Sequence, residues 1–256
     1  MPETPTADSG PNAPFHREGS NGQAVLVIHG FTAGPAGMLP WANAFADAGY
    51  TVDVPLLPGH GTSWQDLASK KYTEILDAVH QRFAALAARH ERVFVAGLSM
   101  GGALALNLAS THAVAAVALV NPGLTIESPL APFTGLLRFV APSVPGIAND
   151  IAKPGGDEHA YDRTPVAGVH ELRKLFKDTV SKLPRITAPV IVFRSDLDHV
   201  VPESSFDTLV AGLDARVHLE VKRLTRSYHV ATLDYEADEI FARSIEFFQE
   251  VDTHRP

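Results

Sequence analysis

The chain of 256 residues contains no cysteine, which excludes disulfides and cysteine-bound metal centres. No apolar run reaches the roughly eighteen residues that a membrane-spanning helix requires. Basic side chains are also in short supply, 21 against 29 acidic ones, for a formal charge of −8. That balance argues against nucleic acid as a partner and against electrostatic docking on anionic lipid. The opening residues are rich in Pro, Thr and Asp but lack the apolar core of a secretory signal, so residues 1–13 are expected to form a loose tail and the cytoplasm is the expected location. No internal repeat is visible. What remains, at 45% hydrophobic and 20% charged residues, has the composition of an ordinary globule. Residues 14–256 are enough for one α/β domain and do not demand two.

Within that span apolar runs alternate with helical patterns. Residues 23–28 (QAVLVI) are apolar on both faces, as a buried parallel strand requires. A glycine-punctuated loop from His29 to Gly34 follows, then helical spacing of Met38, Trp41, Ala42 and Phe45 over residues 38–48. Residues 50–54 read as a strand, ended by Pro55 and the loop Leu57-Pro58-Gly59-His60-Gly61. Ile75, Val79, Phe83 and Leu86 place a long helix over 72–90, and strands are expected at 92–96 and 114–120. Strands separated by helices imply a mostly parallel sheet covered on both faces. The rhythm breaks at Asn121-Pro122-Gly123. From about 123 to 184 the chain is first Pro- and Gly-rich and then helical over 166–183, too long for a connecting loop. It reads as an insertion over the sheet edge. Strands at 189–194 and 216–223 and helices at 203–213 and 234–250 complete the pattern.

Between the strand at 92–96 and the helix formers of 102–109 stands Gly97-Leu98-Ser99-Met100-Gly101. A serine on a sharp strand-to-helix turn, flanked by small residues, exposes its hydroxyl; this context turns a G-x-S-x-G match into a chemical expectation. The hydroxyl is a poor nucleophile until an imidazole takes its proton, and the imidazole needs a carboxylate to hold its tautomer. In a sheet of this kind the partners follow in the order serine, acid, histidine, each in a loop at the carboxyl end of a strand. The acid slot, after the first strand beyond the insertion, contains Asp196 and Asp198. The histidine slot, after the last strand, contains His229. Two oxyanion donors are expected, the N–H of Met100 and that of Phe31 in the loop after the first core strand.

Together His29-Gly30-Phe31-Thr32, Leu57-Pro58-Gly59-His60-Gly61, Gly97-Leu98-Ser99-Met100-Gly101-Gly102, the segment Asp196 to Pro202 and the segment Ser227 to Thr232 resemble the bacterial monoacylglycerol lipase/carboxylesterase branch of the α/β-hydrolases. The resemblance spans residue 14 to the last helix. It implies the α/β-hydrolase fold with a small cap at about 123–184. It further implies Ser99 as nucleophile, His229 as base, Phe31 and Met100 as oxyanion donors, and no cofactor or metal. Of the two aspartates it favours Asp198. Glu158, within Glu158-His159-Ala160-Tyr161, stands where those enzymes bind glycerol hydroxyls, and Ile147 where an apolar residue touches substrate. The implied substrate is a small lipid ester, most simply a monoacylglycerol, with transient contact between cap and lipid surface. The sequence leaves the oligomeric state open. Thr125 to Val144 has its own Pro-rich composition, and Ala33 displaces a glycine that the family carries after Phe31-Thr32.

Blander roles stand beside these. Ser99 could merely cap a helix, His229 could be one of twelve scattered histidines, and Glu158 could be solvated. His29 and His60 are expected to be structural, and His199 to lie beside the acid without facing the site. The apolar stretch 130–140 is expected to divide between cap core and exposed surface. A thioesterase or acyltransferase would use the same triad, and a hydrolase-like binding module would lack one of its members. Residues 189–198 also mimic the strand and D-x-D of magnesium-dependent phosphatases, but that motif normally opens its domain and little chain follows it here.

Overall fold

Strand β2 (Gln23–Ile28) is buried from Ala24 onward, and its side chains alternate between two separate cores. Ala24, Leu26 and Ile28 face one; Val25 and Val27 face the other. A parallel strand with helices above and below must be apolar on both sides, which explains the unbroken hydrophobic run. The computed structural model describes residues 10–253. Most of the expected tail, residues 1–9, lies outside the described residues. Asn12 is docked: its Nδ2 donates to the His159 carbonyl at 2.9 Å and its Oδ1 accepts weakly from Ala36 N–H.

In chain order the elements are β1 (Phe15–Arg17), β2, α1 (Leu39–Asp47), β3 (Thr51–Val54), α2 (Trp64–Ser69), α3 (Tyr72–Ala87), β4 (Arg92–Leu98), α4 (Met100–Ala109) and β5 (Val117–Val120). There follow α5 (Thr134–Leu137), β6 (Ser143–Pro145), β7 (Arg163–Pro165), α6 (Val166–Lys182), β8 (Val190–Ser195), α7 (Glu203–Gly212), β9 (Leu219–Leu224) and α8 (Ala237–Thr253). The main sheet runs β1-β3-β2-β4-β5-β8-β9, parallel except for β1, which pairs antiparallel with β3. The chain leaves β2 toward β3 on one side and returns to β4 on the other. Such a reversal opens a crevice at the carboxyl ends of the two strands, where ligands bind in open α/β sheets.

Helices α3, α4 and α6 cover one face and α1 and α8 the other. Every residue of α4 is buried, which suits its run of Ala, Gly and Leu. On the second face Phe248 of α8 stacks on Phe94 (ring centroids 4.4 Å apart) and on Phe45 (5.3 Å). Phe248→Ala is therefore expected to cost about 3–5 kcal/mol, measured as a lowered denaturation midpoint at unchanged denaturant slope.

Several elements depart from the sequence reading, among them β5, which begins three residues later than expected, and the unanticipated α5, β6 and β7. Strand β1 and helix α2 were not anticipated, because three and six residues are too few to display a period; Ser63 caps α2 by accepting the Asp66 N–H at 3.1 Å. The last strand begins three residues later than expected. Helix α6, placed within the insertion at 123–184, contributes Leu175 and Phe176 to the same core as α4. The stretch from Leu130 to β7 contributes no fully buried member to either core and touches them through Tyr161 and Ile151; within it β6 and β7 pair with each other and not with the main sheet. In it Ala131 and Thr134 are buried, whereas Leu130, Phe133, Leu136, Phe139 and Val140 are exposed. Among the described residues no helix is long and apolar enough to cross a membrane.

Candidate active site

Ser99 joins β4 to α4 with φ 56° and ψ −118°, a backbone conformation that non-glycine residues rarely adopt. The strain persists because its surroundings allow nothing else. Ser99 N–H donates to Val120 O at 3.0 Å, and the Ser99 carbonyl accepts from Gly102 and Gly123 at 3.0 and 3.1 Å. The flanking glycines leave no room for a side chain. A Cβ on Gly97 would lie 2.4 Å from Gly101 O, and one on Gly101 would lie 2.1 Å from Ile28 O. That close approach presses the elbow against the end of β2, where Ile28 pairs with Gly97. The following loop, Gly30 and Phe31, thereby runs beside Ser99.

Met100 opens α4, so its N–H is among those with no acceptor inside the helix. Phe31, Ser99, Asp198 and His229 line one cavity of about 530 Å³. Behind Phe31, His29 is fully buried: Nδ1 donates to the Gly30 carbonyl at 2.9 Å, and Nε2 accepts from Leu57 N–H at 3.2 Å. This pairing fixes a neutral imidazole. Burial, aided by the neighbouring His60, pushes its pKa down to about 3, and burial pulls His60 to about 4. Both histidines brace the loop, which is the structural role expected of them.

The acid and histidine slots converge. His229 Nδ1 and Asp198 Oδ2 are 3.1 Å apart, with the histidine almost completely buried. Asp198 Oδ1 accepts from the N–H groups of Val200 (2.8 Å) and Val201 (2.9 Å), and Oδ2 also accepts from Arg194 Nη1 at 2.6 Å. Burial works against ionisation of Asp198, but the His229 imidazole and the two backbone donors outweigh it and hold the carboxyl below its usual value. Asp196 does not reach the histidine. Its carboxylate accepts from Arg223 Nε at 2.7 Å on a half-exposed edge. His199 is largely exposed and pairs through Nδ1 with Asp150 at 2.8 Å.

Glu158 and Ile147 also line the cavity. Glu158 is buried, its Oε1 accepting from Asn149 N–H at 2.9 Å while its own N–H donates to Asn149 Oδ1 at 2.9 Å. Burial pushes its pKa up. Ile147 is 64% exposed and stands at the rim. Val169, Leu172 and Phe176 of α6 supply an apolar wall. Among the described residues no cluster of three or more His, Asp or Glu is placed to hold a metal ion.

The family model for serine aminopeptidase S33 matches residues 19–236, spanning the elbow, the acid and the histidine. The chain belongs to this family of α/β-hydrolases. It is 40% identical over 240 residues to a thermostable monoacylglycerol lipase of Bacillus sp. (strain H-257), covering 92% of this chain and 93% of that one. A carboxylesterase of Bacillus subtilis (strain 168) is 24% identical over 240 residues, 93% of this chain and 97% of that one. A structure of one of the metagenome-derived lipolytic enzymes LipS and LipT superposes with a TM-score of 0.89 at 34% identity, over 93% of this chain and 98% of the other. A monoacylglycerol lipase of Paleococcus ferrophilus shares the fold at TM-score 0.77 and 16% identity, over 93% and 98% of the two chains.

Against that hydrolase frame, two buried side chains around the triad slots stand out that the motifs alone do not reveal. Arg194 spans Asp198, the Val201 carbonyl (2.8 Å) and Glu203 (2.9 Å). Asn121, at φ 44°, donates to His229 O at 2.8 Å and to Ser195 Oγ at 2.9 Å, and accepts from Ser195 N–H at 2.8 Å. The sequence signal for Asn121 was its place at the end of β5, where the alternation breaks; Arg194 gave none, lying within an apolar strand.

Proposed function

We propose that this hydrolase cleaves carboxylic esters of fatty acids, monoacylglycerols foremost, through an acyl-enzyme on Ser99. The observation that carries the reading is the buried Asp198–His229 pair opening into the same cavity as the strained Ser99. Asp198 holds the His229 Nδ1 proton, leaving Nε2 as the base for the Ser99 hydroxyl. The hydroxyl oxygen attacks the ester carbonyl while the N–H groups of Phe31 and Met100 receive the oxyanion. His229 then protonates the departing alcohol, and water activated by the same imidazole releases the fatty acid. Neither step calls for a metal or cofactor.

The cavity lining combines two chemistries, which supports a monoester. Val169, Leu172 and Phe176 offer the acyl chain an apolar wall, and the Glu158 carboxylate is a hydrogen-bond acceptor for alcohol hydroxyls. We read the stretch from Leu124 to β7 as the cap over this cavity. Its exposed Leu130, Phe133, Leu136, Phe139 and Val140 lie between cavity-lining Ser128 and Ile147, so that apolar contact with aggregated lipid would bring substrate to the entrance.

A panel of monoacylglycerols, p-nitrophenyl esters and acyl-CoA thioesters of matched chain length tests the reading, with kcat/KM highest for the oxygen esters. Glu158→Ala is expected to lower kcat/KM for monoacylglycerols by about tenfold, the worth of one hydrogen bond to a charged acceptor. Hydrolysis of p-nitrophenyl esters, whose alcohol has no hydroxyl to offer, should stay near wild type. Equal losses on both substrates remove the glycerol-binding role.

A further inference from the structure

The base of the triad is held from a direction that the triad itself does not provide. Asp150 lies in the segment between β6 and β7 and is largely buried. Its Oδ2 accepts the backbone N–H of His229 at 3.1 Å and that of His199, the residue after Asp198, at 3.2 Å. Its Oδ1 pairs with His199 Nδ1 at 2.8 Å, and its carbonyl accepts Val230 N–H at 3.0 Å. One side chain thus pins the histidine loop and the acid loop to each other. The fastening is reciprocal. Asp234, beyond the histidine, accepts the N–H groups of Ala152 at 2.7 Å and Lys153 at 2.9 Å, and also that of Tyr228 at 2.9 Å. The adjoining residue, Asn149, holds Glu158 through the pair of bonds described above. Residues 149–153 are therefore tied to cavity-lining Glu158 through Asn149, to the backbone of His229 and Val230 through Asp150, and to Asp234 through Ala152 and Lys153.

We propose that Asp150 is a positioning residue for His229: by holding the histidine backbone against the acid loop, it sets the reach of the imidazole toward Ser99. This rests on the triad reading of the preceding subsection. A misplacement of about 1 Å in a reacting group can cost on the order of a hundredfold in rate, and the Asp150 carboxylate accepts the His229 N–H itself. The charged groups gathered here are Asp198 and Arg194 on the acid side, Glu158 and Asp150 from the segment above, and Asp234 and His199 at the flanks. Among them Asp150 alone accepts from the backbone of both triad loops.

The test compares Asp150→Ala, Asp150→Asn and His199→Ala with wild type and Ser99→Ala, using a short p-nitrophenyl ester and a fluorophosphonate probe. Asp150→Ala is expected to lower kcat by about a hundredfold with KM nearly unchanged, and to slow fluorophosphonate labelling of Ser99 in parallel. Asp150→Asn should recover most of both rates, because its amide oxygen can accept the same two N–H groups. His199→Ala should stay near wild type. If Asp150→Ala fails to fold, Asp150→Glu keeps the charge but moves the acceptor by a methylene, and the same loss of kcat is expected. An inactive Ser99→Ala beside folded Asp150 variants with wild-type kcat, or with losses confined to KM, overturns the proposal while leaving the triad in place. An active Ser99→Ala overturns both.

Discussion

Ser99→Ala is expected to lower kcat for ester hydrolysis by about a millionfold, the scale of loss when the nucleophile of a serine triad is deleted. The argument is chemical: no other hydroxyl stands at the elbow, and without an acyl-enzyme the remaining donors can only polarise an ester for attack by water. Stability should barely move. Alanine keeps the Cβ at φ 56° and leaves the backbone bonds of Ser99 intact, so the change should fall within about 0.5 kcal/mol. Measured together, an unshifted melting curve and a lost burst of p-nitrophenol assign the defect to chemistry. Retention of more than a few per cent of wild-type turnover would remove Ser99 from the mechanism.

The parts of this site that the sequence revealed share a cause. Gly97 and Gly101, which frame Ser99 in the sequence, are legible because a Cβ at either would collide with backbone, that of Gly101 in the first case and of Ile28 in the second. The sheet was legible because burial on both faces leaves β2, β4, β5 and β8 with long apolar runs. Strand β9 was harder: it is an edge strand with one exposed side, and its lysine, arginine and glutamate blur the signal.

What stayed hidden depends on long-range geometry. Thr32, Asn121, Asn149 and His159 adopt positive φ, as Ser99 does. All five belong to the site or to the segments that hold it, as expected where surrounding structure sustains strain for function. A threonine at φ 65° cannot be read from its neighbours in sequence; it follows from Tyr161, 129 residues later, donating to the Thr32 carbonyl at 2.9 Å. Arg194 was hidden differently. A single charge in an apolar strand gives no indication of whether it faces solvent or, as here, a buried carboxylate. The packing of α6 on the core of α4 was equally hidden, because its amphipathic pattern is the same whether it packs on a cap or on the sheet.

Asp198→Asn set against Asp196→Asn makes the consequence of that geometry measurable. At Asp198 the asparagine keeps the shape but loses the charge that selects the Nδ1–H tautomer of His229, and kcat is expected to fall by about ten-thousandfold. The variant also leaves Arg194, buried with its guanidinium 2.6 Å from Oδ2, without one of its two carboxylates. Breaking one member of a buried pair typically costs about 3 kcal/mol, so this mutation should damage both rate and fold. Its pH dependence has a definite sign. The folded state holds the Asp198 carboxyl below its ordinary value, so its contribution is fully present above about pH 4 and is lost as the pH falls through the folded value. The stability gap between wild type and Asp198→Asn should accordingly be widest near neutrality and close in acid. Asp196→Asn removes only a half-exposed pair with Arg223, worth at most about 1 kcal/mol, and should leave kcat near wild type. The opposite ranking of the two variants would mean that the carboxylate 3.1 Å from His229 is a structural ligand of Arg194, and that the imidazole takes its orientation from elsewhere.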